Sequence, residues 1–269
     1  MCELFGISAQ NEFAANDYLN VFFAHSDFHP HGWGLACVSR HSALIEKESV
    51  KAADSHYLRE RLSQPVSEKL LLAHIRYATI GNVEYKNCHP FTGKDCTGRR
   101  WTLIHNGTIF DYPALYPFLK AQKGDTDSER VFLYLLDRLN EATRQNGARL
   151  HFEERFRLLD AIVCDMAKGN KLNLLFTDGK YLYAHTNCRG TLHRLEKNNA
   201  VIVATQPLSD ENWQPAPFCQ LLAFTKGKLI KMGTEHRHTY SSRKRPDASL
   251  WRGSADGPPC VATGQSPSR

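Results

Sequence analysis

The chain is a succession of short apolar runs separated by polar, turn-rich stretches. Residues 2–9 (CELFGISA) and 33–38 (WGLACV) read as strands, joined by a segment that includes the turn-rich SDFHPHG. SALIEKES alternates and predicts another strand, and ADSHYLRERLSQP predicts a helix stopped by Pro65. KLLLAHIRYAT and WTLIHNGTI predict two more strands, with GNVEYKNCHPFTGKDCTGRR between them as a loop. A loop of about twenty residues inside a compact domain is unusual and often functional. This one is flanked by strand ends that carry His74, Arg76, His105 and Asn106.

Two helices follow. In TDSERVFLYLLDRLNEATRQ the apolar residues recur at helical spacing, and Thr126 with Glu129 has the form of a capping box. EERFRLLDAIVCDMAK is a second amphipathic helix, closed by Gly169. The remainder is strand-rich. LNLLFTDGKYLYAHT places Asp-Gly between two β-runs, a hairpin signal, and AVIVAT and QLLAFTKGKLIKM come after it. Residues 241–269 lose all periodicity, are rich in Ser, Pro and Gly, and read as a disordered basic tail behind a domain spanning 2–240. Strands, then two helices, then strands suggest two packed sheets with helices outside, one α+β domain.

Composition changes this picture little. The chain has 269 residues, 42% of them hydrophobic and 23% charged, enough to bury a full core without staples. Its eight cysteines lack regular spacing and read as reduced thiols. No segment approaches the ~20 apolar residues of a membrane helix, and the start lacks the features of a secretory signal. A soluble cytoplasmic protein with no membrane association is expected. The formal charge of +6 is concentrated beyond residue 236, where six Lys/Arg face two Asp/Glu. The body has no basic stripe with interleaved aromatics, so nucleic acid is not an expected partner.

Candidate chemistry begins at Cys2. Methionine removal would leave a free α-amine on the residue that bears the thiol. Such an amine titrates near pH 8, so nucleophile and general base would share one residue. The bland alternative is a half-buried strand cysteine. Four further fragments weigh on the choice: AHIRYATIG at 73–81, NCHPF at 87–91, HNGTI at 105–109 and TDSE at 126–129. In that order behind Cys2, they resemble the class II glutamine amidotransferases, which are N-terminal-nucleophile hydrolases. The resemblance covers roughly residues 2–235 and is greatest to the stand-alone type without a synthetase domain. It implies a four-layer αββα sandwich, two stacked, mainly antiparallel sheets between helix layers.

The resemblance also implies roles at matching positions. Cys2 would be the nucleophile. The side-chain amide of Asn106 and the backbone N–H of Gly107 would form the oxyanion hole. Arg76 would hold the substrate α-carboxylate through its planar fork, Asp127 would hold the α-ammonium, and Tyr77 and Thr79 would shape the pocket. Without the resemblance, Arg76 reads equally as part of an ion pair, Asp127 as a helix N-terminal acid, and Asn106-Gly107 as a turn. His74, His89 and His105 are assigned structural roles. HPHGWGLA matches a Gly-Trp-Gly pattern of these amidotransferases, except that His31 stands where an acid is expected.

The implied activity is release of ammonia or an amine from glutamine or a γ-glutamyl compound through a Cys2 thioester, with no metal or organic cofactor. A separate synthetase or peptidase is the partner such a chain would work with. The alternative is a glutaminase subunit, or a non-catalytic binding subunit, acting with a separate partner. A zinc site built from His29, His31, Cys88, His89 and Cys96 is disfavoured, because their spacing is not that of paired Cys-x-x-Cys ligands.

Overall fold

The computed structural model describes residues 2–241. In chain order the strands and α-helices are β1 (Glu3–Ala14), α1 (Asn16–Ala24), β2 (Trp33–Val38), β3 (Ala43–Glu48), α2 (His56–Ser63), β4 (Ser67–Ile75), β5 (Phe91–Lys94), β6 (Arg100–Thr108), α3 (Asp127–Asn146), α4 (Phe152–Met166), β7 (Lys171–Thr177), β8 (Leu182–His185), β9 (His193–Lys197), β10 (Ala200–Ala204), β11 (Gln214–Pro215), β12 (Leu222–Thr225) and β13 (Lys228–Met232). One sheet has the order β11-β9-β10-β1-β4-β2-β3, the other β13-β12-β8-β7-β6-β5, and the pairings within both are antiparallel.

Strand alternation explains the stacking. In β1, Phe5 and Ile7 pack with Leu19 and Phe22 of α1 and Leu58 of α2. Leu4, on the opposite face, joins Leu72, Ile104, Leu175 and Val203 from both sheets in a central core. On the far side, Leu103, Leu174 and Phe176 meet Val131 and Leu135 of α3 and Phe156 and Leu159 of α4. Three apolar cores therefore separate four layers, helix–sheet–sheet–helix, the expected αββα sandwich. Burying each such Leu, Ile or Phe side chain contributes about 1.5–3 kcal/mol, so neither sheet face is dispensable.

Several expectations are corrected locally. The stretch at 81–100 is not all loop, because Phe91–Lys94 pairs with β6 as an edge strand. The strand predicted from KLLLAHIRYAT ends at Ile75, which leaves Arg76 and the residues after it outside the ladder. Helix α1 and strand β9 lie where no element was predicted. Half of the predicted capping box forms at α3. Thr126 Oγ1 accepts from Glu129 N, but the Glu129 carboxylate accepts from Lys123 N and Gly124 N of the preceding loop. The Asp178-Gly179 hairpin joins β7 to β8 as predicted. No helix among the described residues is long and apolar enough to cross a membrane. The predicted tail lies, apart from Ser241, outside the described residues.

Candidate active site

The β1–β4 ladder places the first candidate. Glu3 pairs with Ile75, so the chain leaving β4 passes directly beside Cys2 at the head of β1. Cys2 is half-buried. Its Sγ accepts from Tyr77 N at 3.3 Å and lies 3.5 Å from Tyr77 O. Burial pushes the thiol pKa up, against the opposing pull of the Tyr77 amide and the charges of Arg76 and Lys171. The resting thiol is therefore protonated and needs a base to become a nucleophile.

Residues 76–80 form one wall of the cleft, clasped to the lead-in of β2. Arg76 N donates to Gly32 O and His31 N donates to Arg76 O. Ala78 N donates to His31 Nδ1 at 2.9 Å, so His31 supplies the acceptor that a carboxylate would have supplied there. The Arg76 side chain is buried and its guanidinium donates to Asn82 O, Ile80 O and Gly81 O at 3.0–3.2 Å. Three of its five N–H groups thus shape the wall, leaving two for a ligand.

The opposite wall is the N-terminus of α3. Asp127 is buried there; Oδ2 accepts from Ile109 N at 2.8 Å and Oδ1 from Ser128 N at 2.9 Å. No Lys, Arg or His among the described residues forms an ion pair with it. A buried carboxylate held by two backbone amides, the Ser128 hydroxyl and a helix dipole keeps unused acceptor capacity and attracts a cation.

Strand β6 supplies the floor. Asn106 and Gly107 lie inside this strand, opposite Asn173 and Leu172 of β7, so the turn reading of this dipeptide fails. A Cβ on residue 107 would lie 2.1 Å from Lys171 O and 2.3 Å from His105 Nε2, which only glycine avoids. Lys171 Nζ donates to Asn106 Oδ1 at 3.3 Å. Burial lowers the Lys171 pKa. Three buried histidines surround the floor. His105 Nδ1 meets Ser128 Oγ at 2.9 Å, and the rings of His74 and His89 lie 4.0 Å apart. Burial holds all three below their ordinary pKa, His74 down to about 3, so they stay neutral near pH 7.

One small cleft therefore gathers Cys2, Arg76, Tyr77, Thr79, Gly107 and Asp127, with His89, His105, Thr126 and Ser128. Of the predicted site residues, Asn106 alone is absent from its wall; its side chain is engaged with Lys171. A family model described as glutamine amidotransferases class-II matches residues 1–196. The chain belongs to the class II glutamine amidotransferases.

The chain is similar to proteins that it covers over most of their length. The uncharacterized protein MJ1515 of Methanocaldococcus jannaschii is 30% identical, over 93% of this chain and 74% of its own. A putative glutamine amidotransferase of Escherichia coli, YafJ, is 26% identical over 80% of this chain and 93% of its own. Among solved structures, a predicted glutamine amidotransferase from Pseudomonas aeruginosa superposes with a TM-score of 0.58 at 22% identity, covering 86% of this chain and all of that one. That likeness carries the fold.

Two features of this amidotransferase escaped sequence reasoning. Lys171 gives no signal at the start of a strand. Glu3, next to Cys2, is buried and accepts from Gln206 Nε2 while facing His25 Nδ1 and His29 Nε2 at 2.9 and 3.0 Å. Despite burial, these histidines hold its carboxyl below the usual range. Glu3 thereby braces the head of β1 against the short 3-10 turn at His25–Phe28 and against His29.

Proposed function

We propose that this chain hydrolyses the side-chain amide of glutamine, or of a γ-glutamyl compound, through a thioester on Cys2. The observation that carries this reading is the pairing, across one cleft, of a cysteine thiol with a buried carboxylate, Asp127, that has no cationic partner among the described residues. Those are the needs of a substrate with an α-ammonium at one end and an electrophilic carbonyl at the other.

In this reading Met1 is removed and the α-amine of Cys2 takes the thiol proton. The thiolate attacks the amide carbon, and the oxyanion accepts from Asn106 Nδ2 and Gly107 N. Ammonia or an amine leaves with the proton returned by the α-ammonium, and water then attacks the thioester to release glutamate and the thiol. Asp127 holds the substrate ammonium. Arg76 holds the carboxylate with its remaining donors and its charge, and bidentate contact requires the carbonyls of 80–82 to yield part of the guanidinium. Tyr77 and Thr79 line the pocket, and fixed geometry supplies much of the rate. No proton need pass through the buried neutral histidines. A separate synthetase or peptidase would use or supply what passes through the site.

The test is intact mass before and after treatment with an electrophilic glutamine analogue. Loss of Met1 and one adduct mapped to Cys2 is the expected result. A retained Met1 would remove the proposed base and overturn the mechanism.

A further inference from the structure

The opposite end of the sandwich carries a second and larger cleft, of about 500 Å³. It forms where the turn at 39–42, the loop before β6, the α3–α4 connection and the Asp178-Gly179 turn converge. Strand β7 separates the two sites: Lys171 begins it beside Asn106, and Asp178 follows its other end, roughly 20 Å away at the usual rise of a strand. None of the residues assigned above to glutamine chemistry reaches this cleft.

Its lining is strongly unbalanced. Arg40, Arg99, Arg149, Arg155 and Lys180 line it together with one carboxylate, Asp178. Arg155 is buried; Nη2 pairs with Asp178 Oδ2 at 2.8 Å, Nη1 donates to Leu150 O, and Nε has no hydrogen-bond partner among the described residues. Arg99 Nε stands 3.9 Å from the same Asp178 oxygen. Asp178 is thus shared by two guanidinium groups and can neutralise only one. Arg149 donates to Thr97 O, and neither it, Arg40 nor Lys180 pairs with a carboxylate among the described residues. Burial and the neighbouring charge of Arg155 push the Arg99 pKa down, the direction expected of like charges crowded in a recess. One wall is aromatic, with the rings of Phe152 and Tyr181 4.3 Å apart.

We propose that this cleft binds a small anion with two linked phosphoryl groups, either inorganic pyrophosphate or the diphosphate of an organic molecule. Guanidinium forks match phosphoryl oxygens in bidentate geometry, and a concave cluster of one sign concentrates its counter-ion. A single phosphate matches only part of the surplus, whereas a diphosphate spans the two recessed guanidiniums and reaches the rim. The most buried cations sit at the base of a cleft of ordinary small-molecule size, not on a ridge. That shape favours a compact ligand over a long polyanion. The Phe152–Tyr181 wall gives an organic group apolar surface beside the phosphoryl site.

The experiment is titration calorimetry of the full chain at about 0.15 M salt, close to physiological screening, with inorganic pyrophosphate and adenosine diphosphate as probes. Saturable 1:1 binding is expected, weakened at least tenfold in R99A/R149A and in the exposed pair R40A/K180A, whose melting temperatures report that they fold. Labelling of Cys2 by the glutamine analogue should stay unchanged in both variants, so failure here is distinct from failure at the other site. Tighter binding of adenosine diphosphate identifies an organic ligand, and equal binding identifies pyrophosphate itself. The proposal is overturned if neither probe binds, or if binding survives both double substitutions. Binding of a short RNA or of anionic vesicles through these arginines, with neither diphosphate bound, overturns it in favour of a macromolecular polyanion.

Discussion

Lys171 Nζ donates to Asn106 Oδ1 across the β6–β7 ladder. An ammonium has no acceptor, so the contact sets the amide with its oxygen toward Lys171 and leaves Nδ2 as the donor for other work. If Asn106 is the oxyanion donor, Lys171 is its positioning residue. Asn106→Ala should lower kcat about 10²–10³-fold, the usual effect of losing such a donor. Lys171→Met should lower kcat at least tenfold with little change in KM. In the Asn106→Ala background the lysine substitution should cost nothing further, and additive losses in this double-mutant cycle would refute the link.

Cys2→Ala should abolish glutamine hydrolysis and leave the melting temperature nearly unchanged. The thiol is half-buried and its polar contacts are long ones to a single residue, Tyr77. Residual turnover near the wild-type rate would move the nucleophile elsewhere.

Asp127→Asn tests ammonium recognition. The replacement keeps the shape, but loses charge and one of the two acceptors now facing Ile109 N and Ser128 N. A charge-assisted hydrogen bond contributes about 1.5–3 kcal/mol, so kcat/KM for glutamine should fall roughly 10–100-fold. The same substitution should matter much less for an analogue that lacks the α-amine. Equal losses for both substrates would assign Asp127 to helix capping alone.

Stability should depend on pH through the buried histidines. Burial holds His74 and His185 at about 3 in the folded chain and His89 well below its ordinary value. On unfolding, each binds a proton below pH ~6.5, so stability is full above that pH and is lost as pH falls. Each such histidine costs about 1.4 kcal/mol per pH unit, or about 2 kcal/mol by pH 5. Urea midpoints should fall clearly from pH 7 to pH 5. A flat profile would show that these rings are protonated in place.

What could be read from the sequence was what had a strong local signal. The run at 33–38 became β2 without change, and Thr126 capped α3 as its neighbours indicated. Helix α1 was missed because its N-cap is Ala15, which offers no side-chain acceptor, although Leu19 and Phe22 fall on one face. Strand β5 has four residues, one of them Gly93, and β9 buries only Leu195, so neither shows an alternating pattern. At the site, Cys2, Arg76 and Asp127 stood out by residue type and order. Lys171 did not, because its meaning depends on which strand lies opposite. Asn106-Gly107 reads as a turn only while β7 is out of view.

Strand β6 sends Leu103 and His105 toward α3, and Ile104 and Asn106 toward the other side. The strand thus sorts two kinds of side chain by parity, and its phase is set by the ladder with β7. Inserting one residue upstream of Asn106 within the strand would turn the His105 imidazole to the amide's place and send the amide to the helix-facing side. Length changes therefore have unequal consequences along this segment: a residue gained in the connection before β6 shifts only a loop, whereas one gained inside β6 exchanges the two faces of the site.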